Sequence, residues 1–105
     1  MKRAEQQMNN EIAMDIYKEA MQEFHKGVEN GRFYRLDNCQ AYYIYTDNFI
    51  LLKSYNTFVA MIDTRTGELA DVLRVVYGYT TTSGKHIAKF RNTFPHTHEF
   101  TARPL

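Results

Sequence analysis

The stretch Gly78-Tyr-Thr-Thr-Thr-Ser-Gly-Lys-His86 sets two glycines, a run of hydroxyls and a lysine close together, the ingredients of a loop that cradles phosphate. The spacing argues against that chemistry. A phosphate loop of the G-x-x-x-x-G-K-[ST] kind follows its lysine with a hydroxyl that holds magnesium. Here five residues separate Gly78 from Gly84, and His86 stands where the hydroxyl belongs. Imidazole does not replace a hydroxyl on a hard, oxygen-seeking cation. The stretch reads instead as a helix start, with Thr81, Thr82 or Ser83 accepting a hydrogen bond from an orphan backbone N–H. Gly84 inside the first turn is mildly unfavourable, and nothing in the sequence explains it.

Other reactive groups are sparse. Cys39 is the single cysteine, and its neighbours Asp37-Asn38-Cys39-Gln40 form a turn signal with no basic residue to lower a thiol pKa. His96-Thr97-His98 places two imidazoles two residues apart, but zinc needs three or four ligands and no zinc spacing is present. The carboxylates of the first segment read as a solvated helix face. These observations predict a protein that is not an enzyme, with no metal site and no cofactor. What remains is contact chemistry. Arg74, Lys85, His86, Lys89 and Arg91 form a basic set around the helix start, suited to phosphate or to an acidic partner. Tyr43, Tyr45 and Tyr55 supply large amphipathic rings of the kind favoured at protein interfaces.

The elements that position these groups follow from periodicity. Met8, Ile12, Ile16, Ala20, Phe24 and Val28 recur every four residues, which predicts a long helix over about residues 4–29, stopped by Asn30-Gly31. The region of about residues 33–77 reads as sheet. Asp47-Asn48 and Asn56-Thr57 break the apolar runs, and Asp63-Thr-Arg-Thr-Gly67 suits a type I turn closed by a left-handed glycine. Strand character returns over Leu69–Val76. Ile87, Phe90 and Phe94 mark the apolar face of a short helix over about 82–94, ended by Pro95. The tail, residues 95–105, has no period and is expected to be extended or mobile unless Phe100 and Leu105 dock. The fold class is therefore α+β, an antiparallel meander of about four strands with a long N-terminal and a short C-terminal helix. Two helices are expected to cover one sheet face, leaving the other to display tyrosines.

At 105 residues and 44% hydrophobic composition, the chain is expected to form a single domain with a true core. A lone cysteine and a polar, periodic N-terminus predict a cytoplasmic setting without a signal peptide. No run approaches the roughly 18 apolar residues of a membrane span. The formal charge of +1 conceals a polarity: residues 1–71 carry 8 Lys/Arg against 11 Asp/Glu, and residues 72–105 carry 5 against 1. A basic C-terminal third is a hint about partners.

Leu52-Lys-Ser-Tyr-Asn-Thr-Phe-Val-Ala60, followed by Tyr79-Thr-Thr-Thr-Ser-Gly-Lys-His-Ile87 and Phe90, resembles a group of small proteins encoded by phages and mobile elements. The likeness covers roughly residues 42–94 and brings no catalytic residue with it. It implies a chain that works in a host cell by occupying a host protein, including a CRISPR–Cas effector, as an anti-CRISPR does. The expected function is inhibition by surface occlusion. Binding of nucleic acid by the basic C-terminal helix is the alternative, and a homodimeric module is a third arrangement that solution mass would separate.

Overall fold

The computed structural model describes residues 2–27, 31–36 and 40–105. Helix α1, Lys2–His25, is followed by strands β1 (Tyr34–Arg35), β2 (Ala41–Tyr45), β3 (Phe49–Ser54), β4 (Thr57–Asp63) and β5 (Glu68–Asp71). Helices α2 (Leu73–Val76) and α3 (Thr81–Thr93) and strand β6 (His98–Thr101) complete the chain. The six strands lie side by side in sequence order; β1 to β5 are antiparallel and β6 pairs parallel to β5. The chain is α+β, with a long N-terminal helix and a short C-terminal one, and its sheet is mixed. The polar N-terminal helix is not long and apolar enough to cross a membrane, nor is any other described helix.

The helices occupy opposite faces of the sheet, which corrects the expectation that both cover one. Phe49, Leu51, Met61 and Ala70 pack with Ala13, Ile16 and Ala20 of α1. Ile50, Leu52, Ile62 and Leu69, pointing the other way, pack with Ile87 and Phe90 of α3. Strand alternation forces this division: neighbouring apolar residues in β3 and β4 bury opposite faces, and each face needs its own cover. The tyrosines divide as well. Tyr43 packs on the α3 side while Ile44 joins the α1 side.

Several boundaries depart from the sequence reading. Helix α1 ends at His25, before the expected 29, because Gly27 enters the left-handed region at φ 99° and breaks the helical run. Val28, Glu29 and Asn30 lie outside the described residues, so the expected Asn30 stop does too, as does the Asp37–Cys39 turn. Met8, first of the expected apolar stripe, is 61% exposed. The expected strand over Leu69–Val76 stops at Asp71. There the Asp71 carboxylate accepts the backbone N–H of Leu73, and this local bond turns Leu73–Val76 into a single helical turn. Asp63–Gly67 turns as expected, with Gly67 at φ 80° donating its N–H to the Asp63 carbonyl. Helix α3 is capped by Thr80, one residue before the three candidates; its hydroxyl accepts the Ser83 N–H at 3.1 Å.

The tail is ordered into the sheet. Glu68 to Asp71 pair with His98 to Thr101, which takes a crossover through α2 and α3 to lay β6 parallel. Phe100 docks against the α1-side core, whereas Leu105 remains exposed. Gln6 and Asn10 of α1 fasten the end of this strand, through the Thr101 carbonyl and both backbone groups of Arg103.

A two-sided core predicts two independent penalties. Phe49→Ala, on the α1 face, and Phe90→Ala, on the α3 face, should each cost about 3–5 kcal/mol in urea unfolding. A loss below about 1 kcal/mol for Phe90→Ala would show that α3 does not cover its face.

Candidate functional site

Two segments distant in sequence, residues 52–60 and 79–87, meet in space. The β3–β4 hairpin turns at Tyr55-Asn56, and beneath it Ser54, Ser83 and His86 form a buried polar cluster. Ser54 Oγ lies 2.8 Å from His86 Nδ1 and 3.0 Å from Ser83 Oγ. His86 is only 4% exposed, so it belongs to the interior and not to the basic face expected of it. Burial lowers its pKa, and the nearby Lys89 charge lowers it further, both favouring the neutral imidazole. A serine bonded to a histidine is the beginning of a nucleophile pair, but a working one needs a third group to orient the base and an exposed oxygen. Here Ser54 is buried and its second partner is another serine. The cluster joins the start of α3 to the end of β3.

Above it the backbone is strained. Tyr55 has φ 55°, the only non-glycine residue with positive φ among those described. A side chain there costs roughly 1–2 kcal/mol relative to glycine. Its ring lies 5.7 Å from the His86 ring and is 48% exposed. Tyr55 and Asn56 also border a surface depression of about 270 Å³ with Phe33, Tyr42 and Lys53.

Beside that depression lies an aromatic rim around β1, one of the two edge strands of the sheet. Tyr34 stacks on Tyr43 at 5.5 Å and meets Tyr45 edge-on at 6.2 Å, with Phe94 of α3 behind them at 4.9 Å from Tyr43. Tyr43 is thereby half-buried, while Tyr45 is 49% exposed. On the opposite face Phe33 stacks on Phe58 and Phe24 closes the group. Three cations ride on these rings: Arg32 over Tyr34, Arg35 over Tyr42, and Lys53 over Phe33. Arg32, Phe33, Tyr34 and Arg35 were not singled out from sequence; the signal available was the pair of aromatic residues flanked by arginines in Arg32-Phe-Tyr-Arg35.

The expected basic set does not form one face. Arg91 donates to Glu99 at 2.6 Å and, more loosely, to Asp71 at 3.3 Å. Arg74 lies 3.8 Å from Asp71 and stacks over Tyr79 at 4.6 Å. Lys85 and Lys89 are exposed on α3. Glu99 also bonds His96; burial would raise its pKa, but the His96 and Arg91 hydrogen bonds hold it below the ordinary carboxylate value. Asp71, buried at the foot of the cluster, is raised by burial against the pull of the Leu73 N–H and three arginines. His96 and His98 do not converge: His98 contacts Thr97 while His96 bonds Glu99.

Residues 4–103 match the family described as a family of unknown function, DUF8033, and the chain belongs to that family. The match takes in α1 and β6 as well as the sheet and α3. No curated protein and no solved structure matches the chain.

The burial of His86, with the Lys89 charge beside it, predicts a pH dependence with a definite sign. With its folded pKa below the ordinary value of 6.5, His86 binds fewer protons folded than unfolded, so stability is full above about pH 6.5 and falls as pH drops below it. His86→Gln should flatten that part of a melting-temperature profile. Ser54→Ala, which strips the imidazole of its partner, should cost about 1–3 kcal/mol. An unchanged profile in His86→Gln would refute the assignment.

Proposed function

We propose that this DUF8033 protein is a non-enzymatic binding protein that acts by occluding a surface of a partner protein, and that the contact is made by the aromatic edge around β1 and the Tyr55-Asn56 turn. The observation that carries this reading is the exposure of aromatic rings on both sides of the β1 edge, Tyr34 and Tyr45 on one face and Phe33 and Tyr55 at the depression beside it, with arginine and lysine held over the rings. Tyrosine and arginine dominate the energetics of protein interfaces because they bury much area while keeping polar groups to pair. Left-handed Tyr55 fits the same account, since strain retained at an exposed residue is compatible with a role outside the fold. The cations favour an acidic partner surface. The resemblance to phage-encoded proteins supplies the context: a host protein as target, with a CRISPR–Cas nuclease the first to test.

A second reading, binding of single-stranded nucleic acid, draws on the same rim, because bases stack on aromatic rings beside arginine. It has less support on α3, where His86 is buried and Arg91 is engaged by Glu99.

Three phosphate contacts from Arg32, Arg35 and Lys53 would give a logarithmic salt slope of about −2, a loss of roughly 20-fold between 50 and 200 mM salt. Protein binding through stacked rings should depend on salt much less. The chain should be immobilised against lysates of hosts that carry CRISPR defences, and added to cleavage assays of their purified nucleases. Tyr45→Ser should weaken the interaction by about tenfold or more with little effect on folding. Tyr55→Gly should weaken it too while raising stability by about 1 kcal/mol, since glycine accepts the left-handed turn. Capture and inhibition that both variants leave intact, or no interaction in any such host, would refute the reading.

A further inference from the structure

We propose that the cavity between α2 and α3 is a binding site for a single phosphate group, held by Arg74, Arg91 and the Tyr79 hydroxyl. The cavity measures about 110 Å³ and is lined by these three residues with Asp71, Gly84 and Ile87 among its walls. Holding one water takes roughly 10–15 Å³, so there is space for a small oxyanion, and the rest of a longer ligand would project through the mouth.

The donors are in place and only partly committed. The Arg74 guanidinium makes no hydrogen bond to a described residue; its nearest acceptor is Asp71 Oδ2 at 3.8 Å, and the Tyr79 ring holds it flat at 4.6 Å. Arg91 commits Nε to Glu99 and one Nη2 hydrogen to Asp71, leaving its Nη1 hydrogens without a partner among the described residues. A made arginine–carboxylate bond is about 2.7–2.9 Å long. Two guanidiniums at 3.3 and 3.8 Å from one carboxylate are not satisfied by it. The cavity wall carries Arg74 and Arg91 against Asp71 as its one carboxylate, with Glu99 bonded to Arg91 from outside the wall, so the lining itself has an excess of positive charge that an oxyanion complements.

Gly84 now has a reason. A Cβ at this position would lie 2.6 Å from the Tyr79 hydroxyl, so only glycine lets the ring settle over the first turn of α3 and present its oxygen here. The stack Arg74–Tyr79–Gly84 is what shapes the site. Three donors around one small space match a tetrahedral group with several acceptor oxygens better than they match a carboxylate.

The test is a backbone-amide NMR titration of the full chain at constant ionic strength, with inorganic phosphate, phenyl phosphate and acetate as probes. Phosphate should give saturable shifts around residues 73–74, 79 and 84, with a Kd of about 1 mM or tighter. Arg74→Gln should weaken binding by roughly tenfold. Gly84→Ala removes a helix-interior glycine and meets only the far end of an exposed side chain, so it should fold at least as stably while also weakening phosphate binding several-fold. Tighter binding of phenyl phosphate than of inorganic phosphate identifies a monoester as the natural ligand, and equal binding identifies the free ion. Non-saturating shifts, equal affinity in Arg74→Gln, or acetate binding as tightly as phosphate would each overturn the proposal.

Discussion

The structure depends on one constraint: strands β3 and β4 are apolar on both sides, so the sheet cannot leave either face to water. Five of the six residues of β3 and five of the seven of β4 are buried. A single covering helix would expose half of them, at about 25 cal/mol for each Å² of apolar surface left in water. The chain meets this demand with α1 on one side and α3 on the other. The rest of the topology follows. To bring α3 across, the chain must leave β5, pass over the sheet end through α2, and return on the far side, and a return of that kind delivers its last strand parallel to β5. Ala13 and Ala20, both fully buried, keep the α1 backbone close to the sheet.

Polar side chains sit where the chain enters or leaves this sandwich, and each pins an element that apolar packing alone would let slide. Glu23 of α1 accepts from the Thr46 hydroxyl and from both the backbone and side chain of Asn48, which fixes the helix over the β2–β3 turn. Burial works against its charge, yet those hydrogen bonds keep its pKa below normal. Arg65 joins Asp63 to Glu19 and ties the β4–β5 turn to the same helix. On the opposite face Ser54 and His86 do the equivalent for α3. Asp71 closes β5 and opens α2 in one residue.

Local signals gave the elements and missed how they assemble. Helix α1, the Asp63–Gly67 turn and the apolar face of α3 were legible because each is set by period or by glycine chemistry within a few residues. Leu73–Val76 was misread as strand because its valines favour extended backbone, while the Asp71 bond that bends it is a single contact. Strand β6 is four residues long, too short to show alternation, and its partner lies thirty positions earlier. The unbroken runs Phe49-Ile-Leu-Leu and Phe58-Val-Ala-Met-Ile did announce burial on both faces, since a half-exposed strand alternates. The site was less legible. The cluster of Ser54, Ser83 and His86 joins residues 29 and 32 positions apart, and Gly84 is explained only by a ring that reaches it from Tyr79.

Charge along the chain also proved a poor guide to charge in space. The C-terminal third is nominally basic, but Glu99 engages Arg91 and His96, and Asp71 draws Arg74 and Arg91 inward, so much of that charge points at the interior of the α2–α3 region. The nominally acidic remainder places its carboxylates on α1 and at the turns while Arg32, Arg35 and Lys53 gather on the β1 side. A cation stacked on an aromatic ring keeps its charge while giving up part of its freedom, so such a rim is already ordered for contact and loses less entropy on meeting a partner. The same reasoning separates the two surfaces. The rim is open and aromatic, fitted to area; the cavity is small and walled by partly committed donors, fitted to a single charged group.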